Sequence, residues 1–281
     1  MFSIIICSID SANFEKLSKS ISCTIGEVDF ELIRIDNRVL NLSIAEAYNN
    51  GIDKSKYPFL VLVHEDVIFH TNGWGEKLLE GFKNPKVGLI GIAGSRIKAN
   101  IPSGWWNNSS EHLYMNIIQH PKIGKKQLIQ FGFGNENFSE VVVLDGVFMA
   151  ARKTEQIRFD ETLKGFHNYD QSFSLSYRKY DYKVMVTNQI LLEHFSEGNK
   201  NKDWVKSLLA FHKKYRTCLP QTVGNYKIER KDKAHSCLRL IYNCKNNHMR
   251  SMAFRYWLQY LSMRPLDRRN IQMLKYFLFL N

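Results

Sequence analysis

The sequence lacks several features that would assign it to well-known classes of protein. It has five cysteines, an odd number without a C-x-x-C spacing, so we expect neither a zinc knuckle nor a disulfide framework, and a reducing compartment is favoured. No run of 18 apolar residues is present, which argues against a bilayer-spanning helix. The N-terminus MFSIIICSID has no basic region before its apolar stretch, so it resembles a strand more than a signal peptide. Phosphate-loop, H-E-x-x-H and G-x-S-x-G motifs are also missing.

The positive charge is concentrated in the last third of the chain. The formal net charge is +12, and residues 200 to 281 contain 18 Lys and Arg against 4 Asp and Glu, a net of +14 that leaves −2 for the rest. This split indicates two functional regions, the second facing an anionic surface such as phospholipid, polyanionic saccharide or nucleic acid. Because no nucleic-acid reading module is recognisable, we expect no nucleic acid among the partners.

Apolar periodicity predicts strands alternating with helices, and therefore βαβ units with a largely parallel sheet. Strands are predicted at 2–7, 30–36, 59–63, 87–94, 140–152 (broken at Asp145-Gly146), 182–186 and near 190–198. Helices are predicted at 12–22, 42–52 (capped by Ser43), 73–82, 166–180, 202–216, 231–244, 250–262 and 267–280. Residues 95–139 are predicted to be irregular, either a lid over a binding edge or an insertion.

Ionisable side chains interrupt the apolar stretch FLVLVHEDVIF at residues 59–69. A buried carboxylate without a partner costs several kcal/mol, so this acidic pair is either solvated at a strand end or holds a cation. Ligands of parallel sheets bind at the carboxyl ends of the strands, where the chain places polar groups after three successive strands. These groups are Ser8, Asp36, Asn37, His64, Glu65 and Asp66.

The order and spacing of several motifs resemble family-2-type nucleotide-sugar glycosyltransferases with the GT-A fold. The matching segments are FSIIICS, IDN, AYNNGI, HEDV, LDGVFMAARK, and GFHNYDQSFSL followed by EH. The HEDV form resembles a bacterial subgroup more closely than the commoner Asp-x-Asp form. The resemblance implies an α/β GT-A domain over residues 1–198, with a Rossmann-like mixed sheet flanked by helices, and a basic helical C-terminal extension over residues 199–281.

The resemblance implies a divalent cation, Mn²⁺ or Mg²⁺, that neutralises the leaving nucleoside diphosphate. Asp66 is the implied ligand, with His64 in the place of the usual first aspartate and His194 as a further ligand. Imidazole suits Mn²⁺ better than Mg²⁺. The alternative for His194 is an ordinary histidine at the end of an apolar strand.

The resemblance also implies donor contacts and a catalytic base. The implied donor contacts, for a UDP-sugar above all, are Ser8, Asp36, Asn37, Asn49, Glu65, Asp145 and Gly146. Asp170 matches the family's catalytic aspartate, which takes the acceptor hydroxyl proton in an inverting transfer. The pattern departs from the family at Tyr169, where a glutamate is usual, and near Ser172, where a second aspartate is missing. The alternatives are an Asx turn for Asp36 and a helix N-terminal carboxylate for Asp170.

The implied function is metal-dependent inverting transfer of a sugar from a nucleotide-diphosphate sugar to a saccharide or lipid-linked saccharide acceptor, as in bacterial cell-surface polysaccharide biosynthesis. The alternative is a catalytically silent nucleotide-sugar or glycan binding module of the same fold. Residues 199–281 mix aromatic, aliphatic and basic side chains, which fits either a docked bundle or peripheral contact with a membrane. The expected location is cytoplasmic, and peripheral contact with a membrane would place the protein at the inner face of that membrane.

Overall fold

The computed structural model describes residues 1–279, in which two large β-sheets and a two-stranded sheet of β7 and β15 are flanked by helices. Its strands are β1 (Phe2–Ser8), β2 (Phe30–Asp36), β3 (Phe59–Val63), β4 (Val67–Phe69), β5 (Val87–Gly91), β6 (Ala93–Ser95), β7 (Ile97–Lys98), β8 (Leu113–Gln119), β9 (Gln127–Phe131), β10 (Phe138–Val141), β11 (Val143–Leu144), β12 (Phe148–Arg152), β13 (Lys183–Thr187), β14 (Leu192–His194) and β15 (Gln221–Thr222). Its helices are α1 (Ser11–Thr24), α2 (Asn37–Leu40), α3 (Ile44–Lys54), α4 (Trp74–Phe82), α5 (Tyr169–Lys179), α6 (Lys202–Tyr215), α7 (Arg230–Asn246), α8 (Arg250–Met263) and α9 (Arg269–Phe279).

The larger sheet has seven strands in the order β10-β13-β5-β12-β3-β1-β2. β1 pairs in parallel with β2 and β3, as the βαβ pattern predicts, whereas β12 runs antiparallel between β3 and β5. The sheet is therefore mixed, which confirms the expected fold class. Side chains alternate between the two faces of β1, so Ile4 and Ile6 pack with α1 and α4 while Ile5 packs with α3 and α5.

The smaller sheet has the order β11-β6-β8-β14-β4, with β9 paired to β8. Its strands β8 and β9 fall within 95–139, as do β7, which pairs with β15, and the start of β10 from the larger sheet, so the expectation of an irregular segment there is wrong. β8 and β9 form an antiparallel hairpin with Met115 opposite Phe131 and Gln119 opposite Gln127. Both strands mix polar and apolar residues without strict alternation, LYMNIIQ and QLIQF, so the period of two that indicates a strand is weak.

Local sequence signals account for the helix that follows β2. The hydroxyl of Ser43 accepts a hydrogen bond from the backbone N–H of Glu46, and the Glu46 carboxylate accepts one from the backbone N–H of Ser43. This reciprocal capping box satisfies two backbone donors that the first turn of a helix leaves unpaired. α3 therefore starts where the sequence predicts.

The C-terminal helices α6 to α9 match the four predicted helices, although the predicted end of the last one, residue 280, lies outside the described residues. They bury a core of their own that includes Trp204, Cys237, Ile241 and Trp257, and Ala99 from the loop after β7 joins it. Within residues 1–279 no helix combines the length and apolar composition that a bilayer span requires. The division of the chain at residue 198 stays a prediction.

Candidate active site

A cavity of about 490 Å³ lies where the ends of both sheets, the start of α5 and the start of α6 approach one another. Five of the predicted site residues line it, namely His64, Asp145, Gly146, Asp170 and His194. The remaining wall is largely apolar and comes from the β8–β9 hairpin and from the loop after β7. Sequence reasoning missed the part of this wall that the β8–β9 hairpin forms, namely Met115, Ile117 and Ile129, because it placed no strands there. The loop after β7 adds Trp105 and Trp106, which belong to the segment for which a lid over a binding edge was one of the two expectations.

His64, Asp66 and His194 form a cluster that could hold a metal ion. One ligand atom from each lies within 4.8 Å of the others, and His194 Nε2 is 3.5 Å from Asp66 Oδ1. They meet because β14 runs antiparallel to β4, with His194 opposite Val67, and because the N–H of Phe195 donates to the carbonyl of Asp66 at 3.0 Å. Residues 128 positions apart are thus brought together by strand pairing.

The ionisation of this cluster suits cation binding. Burial alone would raise the pKa of Asp66, but the hydrogen bonds from His194 and Ser196 and the nearby imidazoles outweigh burial and hold this pKa below its usual range. Burial, followed by the charge of His194, lowers the pKa of His64. A carboxylate and a neutral imidazole are the forms that bind metal, and two imidazoles with one carboxylate fit Mn²⁺ better than Mg²⁺.

Tyr169 connects the cluster to the start of α5. Its hydroxyl lies 2.7 Å from His64 Nε2 and donates to the carbonyl of Gly146 at 3.3 Å. A Cβ at position 146 would come within 2.3 Å of that hydroxyl, so glycine is the residue that leaves room for this contact. The departure from the family pattern at Tyr169 therefore coincides with a specific interaction with His64, the other departure.

Asp170 lies in the first turn of α5 and is 9% exposed. Its carboxylate accepts a hydrogen bond from the N–H of Gln171 at 2.8 Å. Burial, and then the negative charge of Asp145, raise the pKa of Asp170 to about 7. A carboxylate that titrates near neutrality can exchange a proton with a substrate hydroxyl. Sequence reasoning also missed Gln171, which lines the cavity with a buried Oε1 that lacks a partner among residues 1–279.

Asp145 is held by two hydrogen bonds in the turn between β11 and β12. Its Oδ2 accepts from Trp105 Nε1 at 2.6 Å and its Oδ1 from the N–H of Val147 at 2.8 Å. Trp105 is buried, so the loop after β7 is fixed to the cavity through this carboxylate. Gln119 plays a similar part for His194, since its Oε1 lies 3.1 Å from His194 Nδ1. Neither contact has a signal in the sequence, because both cross between strands far apart in the chain.

Ser8 and Glu65 lie at the ends of β1 and β3, outside the cavity lining. The Glu65 carboxylate accepts hydrogen bonds from the backbone N–H groups of Ile9 and Asp10, at 3.1 and 3.0 Å, and so ties these two strand ends together. The buried hydroxyl of Ser8 donates to the carbonyl of Asp10 at 3.3 Å. The described partners of both side chains are local, and their donor-binding roles stay predictions.

Asp36 and Asn37 follow β2 and also lie outside the cavity lining. Asp36 caps α2 by accepting from the N–H of Arg38 at 3.3 Å and forms an ion pair with the Arg38 guanidinium. That guanidinium lowers the pKa of Asp36 to about 2. Asn37 exchanges hydrogen bonds with the backbone of Leu42 at 2.8 and 3.0 Å. The structure therefore forms the Asx-type turn at Asp36, and the Arg38 guanidinium engages both oxygens of this carboxylate.

Asn49, the remaining predicted donor contact, lies on α3 and bonds to the segment before α5. Its amide exchanges hydrogen bonds with the backbone of Phe159, both at 3.0 Å, and donates to Glu161 at 2.7 Å. These contacts hold the segment before α5 against α3. Asn49 does not line the cavity, and a contact with donor stays a prediction.

The comparisons with known proteins agree with this arrangement. A family model described as a glycosyltransferase-like family matches residues 3–218. No curated protein sequence matches the chain. A mannosyltransferase from Pyrobaculum calidifontis, PcManGT in complex with GDP-Man and Mn²⁺, is 10% identical over 97% of this chain and 78% of its own, with a TM-score of 0.54. TarS of S. aureus is 11% identical over 97% of this chain and 50% of its own, with a TM-score of 0.52.

GalNAc-T7, solved with UDP, GalNAc and Mn²⁺, is 10% identical over 74% of this chain and 47% of its own, with a TM-score of 0.50. This chain thus spans about half the length of the GalNAc-T7 and TarS structures. At such identities the likeness is one of fold, and the fold is that of GT-A enzymes. Because the family model covers well over half of the sequence, the chain belongs to the glycosyltransferase-like family.

Proposed function

We propose that the protein is a metal-dependent inverting glycosyltransferase that moves a sugar from a nucleotide-diphosphate sugar to a saccharide or lipid-linked saccharide acceptor. One observation carries this proposal: the cluster of His64, Asp66 and His194 lies beside the cavity that Asp170 also lines, and Tyr169 joins the two. Two of the solved structures named above, PcManGT and GalNAc-T7, contain GDP-Man or UDP together with Mn²⁺, which supports a nucleotide-sugar donor and a divalent cation.

The residues divide the reaction between them. When bound by His64, Asp66 and His194, a divalent cation neutralises the charge that develops on the leaving diphosphate. Asp170 takes the proton of the acceptor hydroxyl as the hydroxyl oxygen bonds to the anomeric carbon. The bond between this carbon and the diphosphate oxygen breaks, and its electron pair leaves with the diphosphate. Asp145 and the backbone at Gly146 contact the transferred sugar. The apolar wall keeps water away from the reacting carbon.

The nucleotide end of the donor lies, in this proposal, along the ends of β1, β2 and β3. Ser8, Asp36, Asn37 and Glu65 stand there, and Asn49 on α3 is proposed as a further donor contact. The Asp36 carboxylate, which Arg38 engages in this structure, is proposed to accept hydrogen bonds from a ribose or a uracil, and the expected donor is a UDP-sugar. The proposed GT-A domain covers residues 1–198.

The C-terminal region 199–281 is proposed to contact a membrane surface peripherally. Exposed apolar residues recur at helical spacing on α8 and α9, and Leu266 in the turn between them is 97% exposed. The exposed apolar residues on α8 and α9 are Phe254, Leu258, Ile271, Leu274 and Leu278. Together with the net charge of +14 they suit an anionic lipid surface, where a lipid-linked acceptor would be found.

The HEDV motif and the cysteine pattern extend the proposal to a bacterial enzyme of cell-surface polysaccharide synthesis at the inner face of the cytoplasmic membrane.

Co-sedimentation with vesicles tests the membrane contact: binding is expected to phosphatidylglycerol vesicles and to be lost in the double variant Leu274→Glu, Leu278→Glu. Equal binding by both proteins would contradict the contact. The absence of a nucleic-acid partner stays a prediction.

A thermal-shift panel tests the proposed function. UDP-, GDP-, dTDP- and CMP-sugars are added with and without Mn²⁺, and stabilisation by one of them that depends on Mn²⁺ is expected. The stabilising donor is then incubated alone, and slow release of its nucleotide is expected from the wild type but not from Asp170→Asn. Stabilisation without release by the wild type would favour the silent binding module, and no metal-linked stabilisation by any donor would overturn the proposal.

A further inference from the structure

One face of the β8–β9 hairpin forms a wall of the cavity. Side chains alternate between the two faces of a strand, so every second residue of β8 shares a face with its partner on β9. Ile117 lies opposite Ile129, and Gln119 lies opposite Gln127. This wall is therefore apolar at its centre and has two amides at one end. Its residues, all of which line the cavity, are Met115, Ile117 and Gln119 of β8 and Gln127 and Ile129 of β9.

The apolar centre of the wall lies between the metal cluster and Asp145. At one end of β8, Gln119 Oε1 is 3.1 Å from His194 Nδ1. Towards the other end, Met115 is paired with Ala93, whose carbonyl accepts a hydrogen bond from the N–H of Asp145 at 2.9 Å. Residues 115 and 119 of a strand are about 13 Å apart, and residue 117 is midway. A sugar that extends from a diphosphate at the metal cluster towards Asp145 therefore passes over the isoleucine at position 117.

The centre of the wall has little to offer a sugar hydroxyl. The side chains of Ile117 and Ile129 have no polar atom, and the thioether of Met115 is only a weak acceptor. The backbones of β8 and β9 bond to each other, and the amide of Gln119 donates to the carbonyl of Ser196 at 2.6 Å. A hydroxyl pressed against this surface loses its water partners without replacement, which is unfavourable. A methyl group in the same place is removed from water, which is favourable.

The apolar centre is also small. It extends from Met115 to Ile117, about 7 Å along β8, and across to β9, whose backbone is about 5 Å away. Ile117 is 3% exposed and belongs to the main core, so only part of its side chain faces the cavity. Beyond it the amides of Gln119 and Gln127 begin. A surface of this size fits one methyl group of a sugar, whereas a lipid chain would run on over the amides.

We propose that Ile117 and Ile129 determine which sugar is transferred, by selecting a donor whose sugar has a methyl group where a common hexose has a hydroxyl. The methyl group belongs either to an acetamido substituent or to a 6-deoxy carbon. This inference rests on the proposed transfer from a nucleotide-diphosphate sugar, and it adds the chemical class of that sugar.

The test compares nucleotide sugars that differ at one substituent. The pairs are UDP-N-acetylglucosamine with UDP-glucose, GDP-6-deoxymannose with GDP-mannose, and dTDP-6-deoxyglucose with dTDP-glucose. Affinities are measured by calorimetric titration in the presence of Mn²⁺, which needs no turnover. For the nucleotide that binds, the methyl-bearing donor is expected to bind about tenfold more tightly than its partner, or better. Preference in the first pair identifies an acetamido methyl, and preference in either of the others identifies a 6-deoxy methyl.

Ile129→Thr places a hydroxyl in the wall and keeps the β-branched shape, at a half-buried position of β9. It is expected to reduce the preference to less than about threefold by weakening the methyl-bearing donor, with the affinity for the nucleotide alone unchanged. Ile117→Thr should act in the same way and serves if the first variant does not fold. Leu128→Thr is the matched control, since Leu128 lies on the other face of β9, is 60% exposed and should leave the preference intact.

Equal binding of both members of every pair, or tighter binding of the hydroxyl-bearing member, would overturn the inference and leave the proposed function standing. A preference for the methyl-bearing donor that survives in both Ile129→Thr and Ile117→Thr would also overturn it. If none of these donors and none of the free nucleotides UDP, GDP and dTDP binds with Mn²⁺, the proposed function is contradicted and the inference falls with it.

Discussion

Replacement of Asp170 by asparagine should stabilise the protein and abolish sugar transfer. The folded protein raises the pKa of Asp170 from its ordinary 3.8 to about 7 because the side chain is buried, so the folded state binds the proton more tightly than the unfolded state. The cost of ionising this carboxyl therefore grows as the pH rises from about 4 and is complete above about pH 7. At about 1.4 kcal/mol per pKa unit, the full cost is on the order of 4 kcal/mol at most.

The measurement is urea denaturation of the wild type and Asp170→Asn at several pH values between about 4 and 8. The difference in the free energy of unfolding should be close to zero at the acid end, grow with pH and level off above about pH 7, with the variant the more stable protein. Asp203→Asn is the control, since Asp203 is exposed in the first turn of α6 and should change stability by less than about 0.5 kcal/mol. A difference that does not vary with pH, or a less stable variant throughout, would refute the reasoning.

Three further predictions concern the same site. The kcat/KM of the wild type should rise with pH through about 7 as Asp170 loses its proton, and a profile that is flat between about pH 5 and 8 would exclude Asp170 as the base. Gly146→Ala should lower the free energy of unfolding by about 1 to 3 kcal/mol and remove much of the activity, because the new Cβ would lie 2.3 Å from Tyr169 Oη. Urea denaturation measures the loss. Gly134→Ala, where the added Cβ meets no atom within 4 Å, is the control. Tyr169→Phe should weaken Mn²⁺-dependent donor binding several-fold by freeing the His64 ring to rotate, as measured by calorimetric titration, whereas Tyr180→Phe on the exposed end of α5 should bind as the wild type does.

The elements nearest the N-terminus were predictable because their signals are local. β2 and β3 have the predicted bounds, and the Ser43 capping box is present as expected. The β8–β9 hairpin was not predictable from composition, since its residues mix polar and apolar types without strict alternation and β8 also pairs with β14, 75 residues away, as with Ile117 and Leu192. Strand pairing of this kind depends on the completed fold more than on the period of one segment.

The site residues likewise divide into those that the sequence predicted and those that depend on the completed fold. The resemblance placed His64, Asp66, His194 and Asp170 in one site; the structure brings His64, His194 and Asp170 to one cavity, and Asp66 clusters with the two histidines beside it. It does not bring the nucleotide-side residues into that cavity, and their described contacts are with nearby backbone. The contacts that tune the site come from Tyr169, Trp105 and Gln119, whose partners lie between 40 and 105 residues away in the chain. Single residues of ordinary type carry no mark of such contacts in the sequence.

The central claim is that His64, Asp66 and His194 hold the cation of a donor complex on which Asp170 acts. Calorimetric titration of UDP into the protein, with and without Mn²⁺, tests it most directly when the wild type, Asp66→Ala and Asp170→Asn are compared. The account predicts Mn²⁺-dependent binding in the wild type and in Asp170→Asn, and its loss in Asp66→Ala. Mn²⁺-dependent binding that survives in Asp66→Ala at wild-type strength would contradict it.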